Sequence, residues 1–210
     1  MLKPIILQTA LCLVLAHALS DEERSDIQEF GRKLREEVNP EAGNMQLISY
    51  SLEMEKLAED WVRSCTTENR EAWCDLKDMD VGMIYFVGYR FPYKFRRYLP
   101  FVSKQKEQYD YESGTCKTHC SRYLQFIWAN TTAVGCTTHY EQPADPSTAK
   151  FNHIAVCFFN QKYRKNQKPY EAGQSCSGCQ TGSKCIQKQC EHETTQDENY
   201  PTTDIYTDLP

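Results

Sequence analysis

The sequence predicts an α+β fold in which a sheet is layered between helices. Three observations carry that expectation. Helical periodicity dominates the first half of the chain, β-prone segments dominate the second, and a short piece rich in cysteine and glycine follows Pro169.

The helices come first. Across 21–38, Ile27, Phe30, Leu34 and Val38 recur at helical spacing, and Asp21, Glu22 and Glu23 suit a first turn. Asn39-Pro40 ends this helix, because proline disfavours the helical region for the residue before it. A second helix fits 52–64, capped by Ser51, with Leu57, Trp61 and Cys65 along one face. Pro100 opens a third, running through Tyr109. A fourth, near 119–129, buries some of Tyr123, Phe126, Ile127 and Trp128. Strands are expected over 81–87, 133–140 and 152–159. In the last, Ile154, Val156 and Phe158 alternate with Ala155, Cys157 and Phe159, so both faces are apolar and the strand is covered on both sides.

The ends differ from the middle. Lys3, the apolar run Ile5 to Leu15 and the pattern Ala16-His17-Ala18 form a signal peptide, with cleavage expected before Leu19 or, alternatively, after Ser20. The run is too short to span a bilayer, so export as a soluble chain without stable membrane insertion is expected. Residues 173–190 hold four cysteines and three glycines, a composition that needs disulfides to hold it. Residues 191–210 are acidic and Thr-rich, and read as a disordered tail. The division is therefore a leader at 1–18, one domain at 19–168, a cysteine-rich hinge at 169–190 and a tail at 191–210.

Charge and cysteine count narrow the function classes. A net charge of −5 argues against nucleic-acid binding, which wants a basic field. Of 11 cysteines, Cys12 leaves with the leader; the even set that remains reads as five disulfides in an oxidising compartment, with no thiol left for catalysis. Asn130-Thr131-Thr132 is a glycosylation sequon, usable in an exported chain. Cys176-Ser177-Gly178-Cys179 has the spacing of a redox motif but lies in a cysteine cluster without a βαβ context, and Gly173 to Ser177 fails the nucleophile-elbow pattern at its last position. His119, His139, His153 and His192 are scattered, without metal-binding spacing. No catalytic constellation emerges, and the chain is expected to be neither an enzyme nor dependent on a cofactor.

Several stretches, in order, resemble the CAP superfamily of cysteine-rich secretory proteins, insect venom allergens and plant pathogenesis-related proteins. They are Val38-Asn39-Pro40 with Asn44-Met45; Leu57-Ala58-Glu59-Asp60-Trp61 running to Cys65; Cys120-Ser121-Arg122-Tyr123-Leu124-Gln125-Phe126-Ile127-Trp128, similar to C-G-H-Y-T-Q-x-V-W; Gly135-Cys136; Ala155 to Phe159; and Pro169-Tyr170-Glu171-Ala172-Gly173 with Cys176 and Cys179. Within the superfamily the likeness is greatest to venom allergen-like proteins of parasitic worms. The resemblance implies a three-layer α-β-α sandwich. It also implies the pairs Cys116–Cys120, Cys136–Cys157, Cys176–Cys185 and Cys179–Cys190, and leaves Cys65 with Cys74.

The same resemblance implies a central cleft where many members hold a divalent ion on two histidines and two acids. Those four positions fall on Asn69, Met83, Glu107 and Arg122, so one ligand type of four survives. A thioether is a poor zinc ligand, and a guanidinium has no lone pair to give and repels a cation. An ion pair between Glu107 and Arg122, with no metal, is expected instead.

The segment 85–101 is the densest in aromatics. Tyr85, Phe86, Tyr89, Phe91, Tyr93, Phe95, Tyr98 and Phe101 interleave with Arg90, Lys94, Arg96 and Arg97. Apolar bodies with a cationic rim suit a sterol or fatty acid, and in some CAP members a loop at this place resembles a caveolin-binding motif and binds sterols; Phe91, Tyr93 and Tyr98 meet that spacing. Two function classes follow: an extracellular carrier of sterol or fatty acid, using Tyr85, Phe86, Tyr89, Phe91, Tyr93, Tyr98 and Phe101, or a secreted module that contacts a host or extracellular protein.

Overall fold

The computed structural model describes residues 19–65, 76, 79–88, 94–140 and 153–192. The leader, the tail beyond His192, and the positions Asn69, Cys74, Tyr89, Phe91 and Tyr93 lie outside the described residues.

Helix α1 spans Asp21–Glu36. It opens with a capping box in which the Ser20 hydroxyl accepts from the Glu23 N–H and the Glu23 carboxylate accepts from the Ser20 N–H, both at 3.3 Å. Strand β1 (Ser49–Tyr50) leads directly into α2 (Leu52–Cys65), where the Ser51 hydroxyl accepts from the Met54 N–H as the sequence suggests. Strand β2 (Gly82–Gly88) follows, then a 3-10 turn at Phe95–Arg97 and a short α3 at Leu99–Ser103.

The long third helix expected through Tyr109 is not formed. The chain breaks after Ser103, makes a second 3-10 turn at Lys106–Gln108, and enters a hairpin of β3 (Tyr109–Asp110) and β4 (Thr115–Cys116). The hairpin competes successfully because its turn is locally specified. The Asp110 carboxylate accepts from both the N–H and the hydroxyl of Ser113, Gly114 takes φ +67°, and Cys116 is tied to Cys120. Helix α4 then runs only from Ser121 to Phe126, shorter than the 119–129 the sequence suggests; it buries Tyr123 and Phe126, and Ile127 and Trp128 are buried just after it.

Strands β5 (Ala133–Tyr140) and β6 (His153–Phe159) complete a four-stranded sheet of order β1-β5-β6-β2. It is antiparallel except for β1 beside β5. The period of two sorts its side chains. Ile84, Phe86, Cys136, Ala155, Cys157 and Phe159 enter the core beneath α1, α3 and α4, whereas Val156 and Phe158, with Met83 and Ile154, pack on Met54, Ala58, Trp61 and Val62 of α2. Strand β6 is thus apolar on both faces because both faces are covered. Gly135 is required by the α2 layer. A Cβ there would lie 2.0 Å from the Glu55 nitrogen and 2.4 Å from the Ser51 carbonyl oxygen, backbone atoms that cannot step aside. These helix and sheet layers make the α-β-α sandwich.

Two buried polar centres join the layers. Arg24 of α1 grips the Glu55 carboxylate of α2 with Nε at 2.9 Å and Nη2 at 2.7 Å, and the Tyr50 hydroxyl shares that carboxylate while bridging to the Cys136 backbone. The second is Arg35, only 1% exposed. It donates to five backbone carbonyls, those of Gln46, Phe126, Trp128, Ala129 and Thr131, at 2.7 to 3.1 Å. One of these, the Phe126 carbonyl, ends α4, and Trp128 lies just beyond it, so Arg35 supplies donors where the helix stops.

After β6 the cysteine-rich hinge carries the hairpin β7 (Lys184–Ile186) and β8 (Gln189–Glu191), turning through Gln187 and Lys188 at positive φ. It docks on residues 41–47: the Cys190 N–H donates to the Met45 carbonyl, and the Leu47 N–H donates back to Cys190. Disulfides join Cys116–Cys120, Cys136–Cys157, Cys176–Cys185 and Cys179–Cys190, the four pairs expected. Cys65 is also disulfide-bonded.

Two outcomes follow from this framework. Thiol titration of the denatured, unreduced mature protein is expected to find no free cysteine; two or more per chain would contradict five bridges. Replacing Arg35 with Ala takes the donor from the Gln46, Phe126 and Thr131 carbonyls, while those of Trp128 and Ala129 keep the Thr131 and Gln46 N–H groups; it is expected to lower unfolding stability by about 4 kcal/mol in urea melts, with Arg35→Lys restoring only part because an ammonium has fewer donors to share.

Candidate functional site

Strand β2 lies at the edge of the sheet, so its outward carbonyls have no neighbouring strand to accept from. Arg122, one residue into α4, fills that role. Its Nε and Nη2 both donate to the Tyr85 carbonyl, at 3.1 and 3.0 Å, and its guanidinium lies 4.8 Å from the centre of the Phe86 ring. The helix start that carries Arg122 is fixed from two sides. The Cys116–Cys120 bridge ties down its leading residue, and the Gln105 side-chain oxygen accepts from the N–H groups of Arg122 and Tyr123 at 3.1 and 3.2 Å. Gln105 reaches that position only because the chain breaks after α3.

The expected Glu107–Arg122 ion pair is therefore a wrong reading. Glu107 is exposed on the 3-10 turn and makes no ion pair with Arg122. The guanidinium is placed instead on the exposed Tyr85 carbonyl and against an aromatic face. Met83 turns toward the α2 layer and packs with Phe158 and its neighbours. Among the described residues no group of three or more His, Cys, Asp or Glu is placed to hold a metal ion. A cation does not fit beside Arg122: the side chain offers no lone pair and its charge opposes the ion.

Arg122 divides two clefts. The larger, about 650 Å³, opens between the end of β2 and the 95–103 segment, and its described lining is Phe86, Val87, Gly88, Arg97, Tyr98, Phe101 and Arg122. The smaller, about 320 Å³, is lined by Met83, Ile84, Tyr85, His119, Ser121, Arg122 and Tyr163. The floor of the larger cleft is rigid. Phe86 stacks on Tyr98 at 4.9 Å, Phe95 closes on both edge-on, and Phe95 itself is fully buried, its N–H donating to Glu23. The Tyr98 hydroxyl is 2.7 Å from Nδ1 of the buried His153. Burial first, and the nearby His139 second, hold the His153 pKa below its ordinary value, which favours the neutral ring. The rim is open, with Phe101 57% and Val87 45% exposed and the exposed Arg97 beside them.

The aromatic segment thus splits. Phe86, Tyr98 and Phe101 line the larger cleft, Tyr85 lines the smaller one, and Phe95 belongs to the core. Sequence reading missed His153 as the partner of Tyr98 and Gln105 as the cap of α4, because both pairings join positions far apart in the chain. The sequon residue Asn130 is exposed in the turn between α4 and β5, where the Thr132 hydroxyl accepts from Asn160 at 2.8 Å.

Comparison with known proteins agrees with this architecture. Human peptidase inhibitor 16 is 26% identical over 212 residues, a match that covers 97% of this chain and 44% of that protein, so the chain spans less than half the length of this relative. Among solved structures, Na-ASP-1 superposes with a TM-score of 0.64 at 16% identity, covering 90% of this chain and 52% of that one. The Schistosoma mansoni venom allergen-like protein 4 superposes with a TM-score of 0.54 at 20% identity, covering 76% of this chain and all (100%) of that one. The family model described as "CAP: Cysteine-rich secretory protein family" matches residues 23–159, and the chain belongs to that family.

Proposed function

We propose that the chain is a secreted, non-enzymatic binding protein that holds a lipid, a sterol or a fatty acid, in the larger cleft. One observation carries this reading: a cleft of about 650 Å³ walled by Phe86, Val87, Tyr98 and Phe101 lies beside a site whose residues do not suit a metal. A lipid that buries roughly 300 Å² there gains about 7 kcal/mol at about 25 cal/mol per Å², before the cost of immobilising it, which puts binding in the micromolar range or weaker. The leader and the bonded cysteines support export, and the sequon supports a glycan on Asn130. No helix among the described residues is long and apolar enough to cross a membrane.

A second reading has its own support. Tyr85 and Val87 of the edge strand and Phe101 of α3 are each more than two-fifths exposed, a surface suited to an extracellular protein, and a relative bears the name of a peptidase inhibitor.

Delipidated mature protein is expected to bind labelled sterol or labelled palmitate at micromolar concentration. Phe101→Ala removes an exposed ring without touching the core, and should weaken binding several-fold with an unchanged circular dichroism spectrum. If neither lipid binds, the carrier reading fails and the exposed rim is left to a protein partner. Added zinc is expected to give no thermal shift and to dialyse away; about one zinc per chain, lost in Glu107→Ala, would overturn the account of Arg122 and its neighbours.

A further inference from the structure

We infer that Arg122 is an anchor for a carboxylate, and that the lipid the cleft prefers is a long-chain carboxylic acid lying with its tail in the larger cleft and its head at the divide. The inference rests on the lipid-binding reading and narrows it to one ligand chemistry.

The guanidinium has a used edge and an unused one. Nε and Nη2 spend one N–H each on the Tyr85 carbonyl, at 3.1 and 3.0 Å, while Nη1 donates to no group among the described residues. The end-on fork formed by Nη1 and the second N–H of Nη2 therefore remains, and that fork matches the two oxygens of a carboxylate. It is already oriented. The Tyr85 carbonyl and the Phe86 ring hold the side chain in one pose, so little rotamer freedom is lost on binding.

The two clefts that meet at Arg122 differ in their linings. The larger is mostly apolar, with Phe86, Val87, Tyr98 and Phe101, and Arg97 is its other cation. The smaller is mixed, with His119, Ser121 and Tyr163 adding hydrogen-bonding groups to Met83 and Ile84. No described residue lining either cleft is acidic, so none of them competes for the fork. A molecule apolar along its length and anionic at one end satisfies both sides at once. A neutral sterol satisfies only the first.

Palmitate and 1-hexadecanol have the same chain and differ at the head, so their comparison isolates the fork. Wild-type protein is expected to bind palmitate at least ten-fold more tightly than hexadecanol at neutral pH. Arg122→Gln should reduce that preference to within about three-fold, chiefly by weakening palmitate, with the circular dichroism spectrum unchanged. Equal affinity of the two ligands for wild-type protein would overturn the carboxylate anchor while leaving lipid binding intact. A preference that persists in Arg122→Gln would also overturn it, by placing the head elsewhere. Binding of neither ligand overturns the anchor and the lipid reading together.

Discussion

The structure depends on Arg35. A guanidinium buried to 1% exposure without a carboxylate is costly unless every N–H finds an acceptor, and here five backbone carbonyls provide them. Burial pulls its pKa down to about 9, still well above neutrality, so the cation persists at physiological pH. The carbonyls come from segments that have no secondary-structure partner for them: the end of α4, the turn into β5 and the stretch at Gln46. One side chain on α1 thereby fixes where α4 stops, where β5 begins and where the 41–47 segment lies to receive the hinge. An alanine at this position would leave all three without a common reference.

The consequence reaches the candidate site through α4. That helix is only six residues long, too short to be stable alone. Arg35 holds the Phe126 carbonyl at its end and that of Trp128 just beyond, and Gln105 with the Cys116–Cys120 bridge holds its start. Clamped at both ends, α4 presents Arg122 to the edge of β2 in a single pose. The direction of dependence is clear: the cleft geometry is set by polar contacts around a short helix, and the aromatic floor of Phe86, Phe95 and Tyr98 then packs against what those contacts define.

Much of this was legible in the residues. The edges of β5 and the two-faced burial of β6 follow from alternation and from apolar residues on both phases, and the four observed disulfide pairs follow from the resemblance. What was illegible is physically specific. Pro100 is a sound helix start, but Asp110, Ser113 and Gly114 specify a turn strongly enough to end the helix early. Gln105 gave no sign that it caps a helix whose first residue lies well beyond it in sequence. Arg35 did leave a trace. It falls on the stripe of Ile27, Gly31, Leu34 and Val38, a cation within an apolar face, which is the signal of a buried charge with partners.

Arg122 shows why a ligand set cannot be judged from its members alone. Opposite charge alone would pair it with Glu107, the one acid left of the four family positions. The fold offers it a stronger claim: an edge-strand carbonyl with no other donor, and an aromatic face beside it. An exposed ion pair is worth little, because water competes for both charges and ordering two long side chains costs entropy. Two N–H groups on one carbonyl and an aromatic face beside it hold the guanidinium without ordering a second long side chain. The arginine therefore turns inward and Glu107 stays in solvent. One guanidinium thus lines both clefts while it ties the start of α4 to the edge of β2.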